Sequence, residues 1–511
     1  MLLAEKVHIA PRFQKAVRID TDLGSAEALR GFICPESSVT ILRSMANHVE
    51  ATGQAAFTWT GPYGSGKSSL VVALSALMNG NKGLREEAAD IIGREAAADI
   101  WSKLPPRKKG WRILGVVGRK VSPAIAIGEA IVRSGYGEHP TGEWTEAEVL
   151  EALQDIYISR PSEHGGLVVF IDEMGKLLEA SAQGQGDVYL LQQIAELASR
   201  SKGRLVLVGI LHQAFDEYAS RLSRDVRDEW SKIHGRFLDL PVNVAGEEQL
   251  ALISRAIKCE DKSTAPSSSA EIVGAHIRSQ RPASNSNVVE LLHDCWPLHP
   301  ITASLLGPIS RRRFGQNQRS IFGFLNSAEP FGFQDFLKST GMEGVYEPHK
   351  LWDYLQINLE PAILASPDGH RWAIAAEAVE RCSALGGDDQ HLKLLKSVAV
   401  IDLFRDRSGI LPTVDILATA LQGWDTNEIE VALRQLASWS LTIYKKFLGA
   451  YSIYAGSDFD IEVAVQEASG DQKDLDFNAL RGLAGLQPIL CKRHYHETGA
   501  LRWFDVEIVP L

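Results

Sequence analysis

The sequence predicts an α/β domain built on a parallel sheet, then a helical region, then a small domain of three helices closed by a β-hairpin. Three observations predict it. A glycine-rich loop, GPYGSGKSSL from Gly61 to Leu70, sits between an apolar strand pattern and an apolar helix pattern. Further apolar strands, RILGVVG, LVVFIDE and RLVLVGIL, alternate with helical stretches. That alternation belongs to doubly wound sheets, whose ligands lie at the carboxyl ends of the strands. Towards the C-terminus, three helical patterns precede two β-rich runs.

The bulk composition bounds the reading. The chain has 511 residues, 45% of them apolar, enough for three or four domains at roughly 100–200 residues each. The formal net charge is −11. An acidic chain is not a general nucleic-acid coat, so contact with DNA would have to come from a local basic patch. Five cysteines, Cys34, Cys259, Cys295, Cys382 and Cys491, are scattered and never at CxxC spacing. This argues against a disulfide framework or zinc site and for a reducing cytoplasm. No run reaches the ~18 apolar residues of a membrane span, so no membrane partner is expected.

Each element then has its reason. AAFTWT, Ala55 to Thr60, is a buried strand, and SSLVVALSALM repeats apolar residues at helical spacing. Between them lies the context that the phosphate-loop motif GxxxxGK[ST] requires. Gly61, Gly64 and Gly66 permit backbone angles that aim N–H groups at phosphate oxygens, beside a helix N-terminus. Gly61, Pro62, Tyr63, Gly64, Ser65, Gly66, Lys67, Ser68 and Ser69 are therefore expected to wrap the phosphates. Lys67 would reach the β- and γ-phosphates, and the Ser68 hydroxyl would ligate Mg²⁺.

LVVFIDE, Leu167 to Glu173, reads as a central strand buried on both faces and ending in two acids. Asp172 would hold Mg²⁺, directly or through water, and Glu173 would orient or deprotonate the attacking water. RLVLVGIL ends in His212 and Gln213. Either side chain would contact the γ-phosphate or the water, or else simply begin the next helix. No guanine-reading NKxD motif stands out, so ATP is the expected nucleotide.

EWSKIHGRFLDLPV, Glu229 to Val242, ends a helix near Gly235 and starts a strand at Phe237. Here the chain resembles the AAA+ ATPases, in which an arginine at this place reaches the γ-phosphate of the neighbouring subunit. Arg236 matches it; the alternative is a surface salt bridge. The resemblance implies a homo-oligomer with shared active sites. Helical patterns follow from Ala245, resembling the AAA+ lid, and EEQLALISRAI is expected to be one helix. Arg319 begins a helix where the lid's nucleotide-sensing arginine would sit, or is merely a solvated base. Arg311, Arg312 and Arg313 are a candidate DNA or partner patch, or a solvated face.

HLKLLKSVAVIDLF, His391 to Phe404, reads as a long amphipathic helix. PTVDILATAL and NEIEVALRQLASWS read as two more, followed by a hairpin around KFLG. This is a winged-helix pattern. Its third helix carries Glu428 and Glu430, with Asp425 just before it, against Arg434, a poor surface for phosphates. Lys445 and Lys446 in the hairpin are better contacts. A DNA reader and a protein-interaction or autoinhibitory element both fit. The histidines of RHYHETG and Arg107–Lys109 read more simply as structural or solvated features, while Gly184–Asp187 reads as a flexible stretch after the acidic strand, where a sensing loop could lie.

In this order, core, lid and winged helix resemble the origin-recognition and STAND-like branch of P-loop ATPases. GPYGSGKSSL, FIDEMGK, GILHQAF, WSKIHGRF, LHPITASLL with QNQRSIFGFL, and YSIYAGSDFDI resemble the large ATPases of bacterial phage-defence islands of the bacteriophage-exclusion type. That implies defence against foreign DNA, with a defence-system effector as partner. The expected segments are an N-terminal segment to 37, the ATPase core 38–243, the lid 244–340, a helical linker and winged helix 341–467, and from 468 the start of a further domain, the final WFDVEIV pattern pointing to a truncated one. Two other readings stay open: a nucleotide-gated signalling switch, and an ATP-dependent DNA-binding regulator or loader.

Overall fold

The computed structural model describes the chain except residues 14–16, 31, 63, 185, 213–229, 231–232, 244–245, 260–266, 282–286, 313–320, 407, 422, 457–476, 492, 495–497 and 509–511. It divides into two compact units, Met1–Tyr454 and Ala455–Leu511.

The first unit holds a mixed α/β region and a helical region. A short strand, β1 (Val7–Ile9), precedes helices α1 (Ala26–Arg30) and α2 (Glu36–Thr52). Then come β2 (Ala56–Thr60), α3 (Lys67–Leu77), α4 (Lys82–Ile92), α5 (Arg94–Lys103) and β3 (Arg112–Val117). The series continues with α6 (Pro123–Arg133), α7 (Glu146–Ile158), β4 (Leu167–Asp172), α8 (Met174–Ala182), α9 (Tyr189–Arg200), β5 (Leu205–Leu211) and β6 (Leu238–Pro241). The five strands β2 to β6 form one parallel sheet in the order β3-β4-β5-β2-β6. Both faces are covered, so β2, β4 and β5 are near-continuous apolar runs, buried along their whole lengths but for Asp172 at the end of β4. Trp59 and Phe170, both fully buried, pack 6.2 Å apart between ring centroids.

A second core begins after the sheet. It takes in Leu250 to Ile453, and with them Leu3, Val7 and Ile9 from the chain's start. The expected single helix EEQLALISRAI ends at Ala256, and Ile257–Cys259 form β7, which pairs antiparallel with β1. The sequence pattern missed this because a three-residue strand has no period of its own. The helix Pro300–Ser310 is buried along nearly its whole length. The helix Asp389–Phe404 corrects the amphipathic reading: from Leu394 onward it is enclosed on almost every side. The helices Pro348–Leu364 and Gly369–Ala384 pack against it together with the hairpin. Trp352 and Trp372 stack there, centroids 4.3 Å apart.

The winged-helix pattern is present as expected. Helices Val414–Ala420 and Thr426–Ser438 lead into β8 (Thr442–Lys445) and β9 (Ala450–Ile453), paired antiparallel across the KFLG turn. Two of the three acids of the third helix are engaged in its N-terminus. Asp425 and Glu428 form a reciprocal capping box, satisfying two otherwise unpaired N–H groups. The second unit contains a helix, Phe477–Leu483, and a two-stranded pair, Ile489–Leu490 with Trp503–Phe504. No helix among the described residues is long and apolar enough to cross a membrane.

One buried histidine joins two parts of the second core. His299 is 3% exposed. Its Nδ1 accepts the Ile301 N–H at 3.2 Å, capping the helix that follows, and its Nε2 donates to Thr419 O at 2.7 Å. The imidazole is therefore a fixed neutral tautomer. Burial lowers its pKa to about 4, the Thr419 bond opposing. The unfolded chain, with a histidine pKa near 6.5, binds more protons than the folded chain between these values. Stability should thus be unaffected above pH 6.5 and fall by roughly 3 kcal/mol at this residue as pH drops towards 4. His299→Asn, which keeps a cap acceptor, should flatten that fall in urea unfolding followed across pH 4–7.

Candidate functional site

The site grows from the ends of three neighbouring strands. β2 delivers the glycine loop, and Gly61 N–H bonds to Leu211 O of β5 at 3.2 Å. A Cβ on Gly61 would stand 2.4 Å from Val242 O, so no side chain fits there. Gly64 and Gly66 have φ of +74° and +84°, the left-handed region open to glycine. Gly66 ends the loop and α3 starts at Lys67. The Lys67 ammonium turns back into the loop. It donates to Gly61 O at 2.6 Å, Pro62 O at 2.7 Å and Ser65 Oγ at 3.2 Å. The residue is 4% exposed. Burial lowers its pKa to about 7, against the opposing pull of Asp172.

The end of β4 meets this loop. Ser68 Oγ donates to Asp172 Oδ2 at 3.2 Å, and Asp172 Oδ1 accepts the Glu173 N–H at 2.9 Å. Burial raises the Asp172 pKa, and these two hydrogen bonds oppose it. Glu173 has φ +51° and ψ +39°, a conformation that costs a non-glycine residue of order 1–3 kcal/mol. Such strain gathers at functional positions. The Glu173 carboxylate pairs with Lys176, one turn along α8. A Cβ on Gly118, after β3, would come within 2.2 Å of Glu173 O, so that glycine makes room for the turn. β5 ends at Leu211, and His212 follows. Burial, with Lys67 and Lys176 nearby, lowers the His212 pKa to about 3, so it is a neutral imidazole.

Lys67, Ser68, Asp172, Glu173 and His212 are thus brought together at the carboxyl edge, with Gly61, Pro62, Gly64, Ser65 and Gly66 forming the loop. Ser69 lies on the first turn of α3, half-buried. Tyr63, Gln213 and Arg319 lie outside the described residues, as does Arg313 of the basic run. Arg236 is not at this site within the chain. It precedes β6, whose first residue, Leu238, lies opposite Phe57 near the start of β2, so it sits at the other edge of the sheet. Its guanidinium is half-exposed and pairs with Glu196 at 3.1 Å. Arg311 and Arg312 follow the helix Pro300–Ser310, and Arg312 pairs with Asp368 and Asp406 at 3.2 and 3.4 Å.

The residues fit a magnesium–nucleoside triphosphate. A buried ammonium facing mainly neutral carbonyls favours an incoming anion. One hydroxyl and one carboxylate, with the remaining positions left to water and phosphate, is how Mg²⁺ is held.

Sequence reasoning missed several neighbours. Lys176 stands at i+3 from Glu173, a spacing that signals a helical ion pair. Phe32 and Glu248 gave no such signal. The Phe32 ring lies 3.9 Å from where a Gly66 Cβ would stand. Glu248, on the helix Gly246–Ala256, accepts from Ser37 N–H at 2.9 Å and Ser37 Oγ at 2.7 Å. It caps α2, whose own N-cap, Pro35, offers no side-chain acceptor.

No family model matches the chain, and no curated protein matches it. Solved structures with a similar course include Cdc6p from Pyrobaculum aerophilum, at 13% identity over 84% of this chain and 93% of that one, with a TM-score of 0.34. The Aeropyrum pernix ORC2 protein in its ADPNP–ADP complexes is 12% identical over 87% and 97%, with a TM-score of 0.34. The replication initiator DnaA bound to AMPPCP and single-stranded DNA is 9% identical over 80% and 91%, with a TM-score of 0.25. At these values they lend no residue roles to this chain.

Glu248→Ala should expose the first turn of α2 and cost about 1–2 kcal/mol in denaturant unfolding. Hydrogen exchange at Ser37–Thr40 should quicken, and Glu248→Gln should lose less.

Proposed function

We propose that this chain is a Mg²⁺-dependent ATPase of AAA+ type whose active site is completed by a neighbouring subunit. The observation that carries the reading is the junction of the phosphate loop with the acidic strand end, Lys67 and Ser68 against Asp172 and Glu173. Lys67 would exchange the Gly61 and Pro62 carbonyls for phosphate oxygens. Ser68 and Asp172 would hold the metal, which supplies charge neutralisation on the phosphates when bound. Glu173, released from Lys176, would orient or deprotonate the attacking water. Neutral His212 would offer an N–H to the γ-phosphate or the water. Arg236, on the far edge of the sheet, would leave Glu196 to reach a neighbouring subunit's nucleotide, and a guanidinium suits the charge developing there.

The five cysteines are free, in keeping with a reducing cytoplasm. Action on DNA, or on a DNA-acting partner in phage defence, rests on the resemblance of the quoted segments. Lys445 and Lys446 in the winged-helix hairpin are the contacts offered to DNA.

A second reading, the nucleotide-gated switch, draws on two ion pairs. Glu173 is held by Lys176 and Arg236 by Glu196. A chain that kept both pairs with ATP bound would retain nucleotide and turn over slowly, leaving the winged helix to signal to an effector.

ATP turnover per protomer, followed over a range of protein concentrations with and without duplex DNA, separates the two. The ATPase reading expects a rate that rises with concentration. Glu173→Gln should lower it by about 10²–10⁴ with nucleotide still bound, and Arg236→Ala by about 10³. A flat, near-zero rate with tight nucleotide retention would establish the switch instead.

A further inference from the structure

The amino-terminal edge of the sheet, opposite the phosphate loop, gathers positive charge. Strands β3, β4 and β5 start side by side, Arg112 opposite Leu167 and Leu167 opposite Leu205. The loops entering them are bonded into one ledge. Lys109 N–H donates to Glu163 O at 2.9 Å, Gly165 N–H to Gly110 O at 3.1 Å and Leu167 N–H to Arg204 O at 2.8 Å. Glu163 is the sole acid of these loops, 105–111, 159–166 and 201–204, against Arg107, Lys108, Lys109, Arg160, Lys202 and Arg204. Three of those bases, Arg107, Arg160 and Lys202, hold positive φ of 55°, 47° and 53°.

Between this ledge and the last turn of α3 lies a cleft of about 450 Å³, within the size range of small-molecule sites. Its polar lining is Ser75, Asn79, Lys109, Arg112, Tyr136 and His164, and it is rich in donors. Ser75 is 1% exposed and its hydroxyl, itself buried, has no hydrogen-bond partner among the described residues. Buried polar groups rarely stand so without a ligand or water. Tyr136 Oη accepts the Ile113 N–H at 3.2 Å, which leaves its own proton to give. Asn79 Oδ1 takes the Asn81 N–H at 2.8 Å, leaving the amide NH₂ as donor. Arg112 spends Nη1 on Ile156 O and Ser159 O, at 2.6 and 3.1 Å, and has no carboxylate partner among the described residues. Lys109 is offset by Glu163 at 2.7 Å.

We propose that this cleft is a second ligand site, taking a compact organic phosphate whose anionic oxygens meet Arg112, Ser75 and Tyr136. A guanidinium with no direct carboxylate contact among the described residues, set beside hydroxyl donors, matches a phosphate, which offers several acceptors and negative charge together. The site is separate from the phosphate loop. Ser75 stands eight residues beyond Lys67 on α3, about 12 Å along the helix. The ligand would touch the far end of the very helix that begins at the loop.

The test uses ribose 5-phosphate as probe, with ribose as its neutral control, titrated calorimetrically into the full chain carrying Lys67→Ala to silence the phosphate loop. Saturable binding of ribose 5-phosphate and none of ribose is expected. Arg112→Gln should weaken it at least tenfold. Arg112 also bonds two carbonyls, so Ser75→Val provides a second variant, expected to weaken binding several-fold at an unchanged melting temperature. Lys108→Ala, outside the cleft, should leave affinity unchanged. Absence of saturable binding, or affinity unmoved by both cleft variants, would overturn the proposal. So would binding confined to a single-stranded oligonucleotide and lost in Lys108→Ala, which would assign the ledge to nucleic acid.

Discussion

A buried positive charge organises the mixed α/β region. The Lys67 ammonium is almost wholly out of water, and such a group is tolerated only where acceptors surround it. The loop supplies them by folding its own carbonyls inward, and it can fold so tightly only because Gly61, Gly64 and Gly66 carry no side chain. Asp172 adds a nearby counter-charge from another strand. The position of Asp172 is in turn set by the parallel register of β3, β4 and β5 and by Gly118, which leaves space for the left-handed turn at Glu173.

The sheet is chemically polar. Its carboxyl edge collects the phosphate loop, two acids and a neutral histidine. Its amino edge collects bases on three consecutive loops. A parallel sheet makes this possible, because every strand start lies on one edge and every strand end on the other. Residues near in space at either edge are therefore remote in sequence. Lys109, Glu163 and Arg204 form one ledge although nearly a hundred residues separate the first from the last.

Specific contacts join the surroundings of the site to the helical region. Glu248 caps α2 from the helix after the sheet, and β1 pairs with β7, so the chain's first residues belong to the second core. His299 then ties the helix Pro300–Ser310 to Thr419 in the winged-helix part. Each of these polar links is a defined hydrogen bond between named groups.

The sequence by itself determined the parallel α/β architecture, the loop, the acidic strand end and the three helices with hairpin. Each is a local pattern: glycine spacing, apolar runs of strand length, helical periodicity. It also placed Lys67, Ser68, Asp172 and Glu173, because strand ends and the following loop can be read from the pattern alone. Only the tertiary structure decided the rest. It moved Ile257 from a helix to a strand, since pairing with Val7–Ile9 outweighs a period too short to register. It enclosed Leu394–Phe404 on nearly all sides, since helices distant in sequence close over both faces. It set Arg236 on the edge away from the chain's own loop, and it turned the basic stretch Arg107–Lys109 into part of a ledge. Such outcomes depend on which loops share an edge. That is fixed by strand order and register, through backbone hydrogen bonds between segments whose sequences carry no mark of each other.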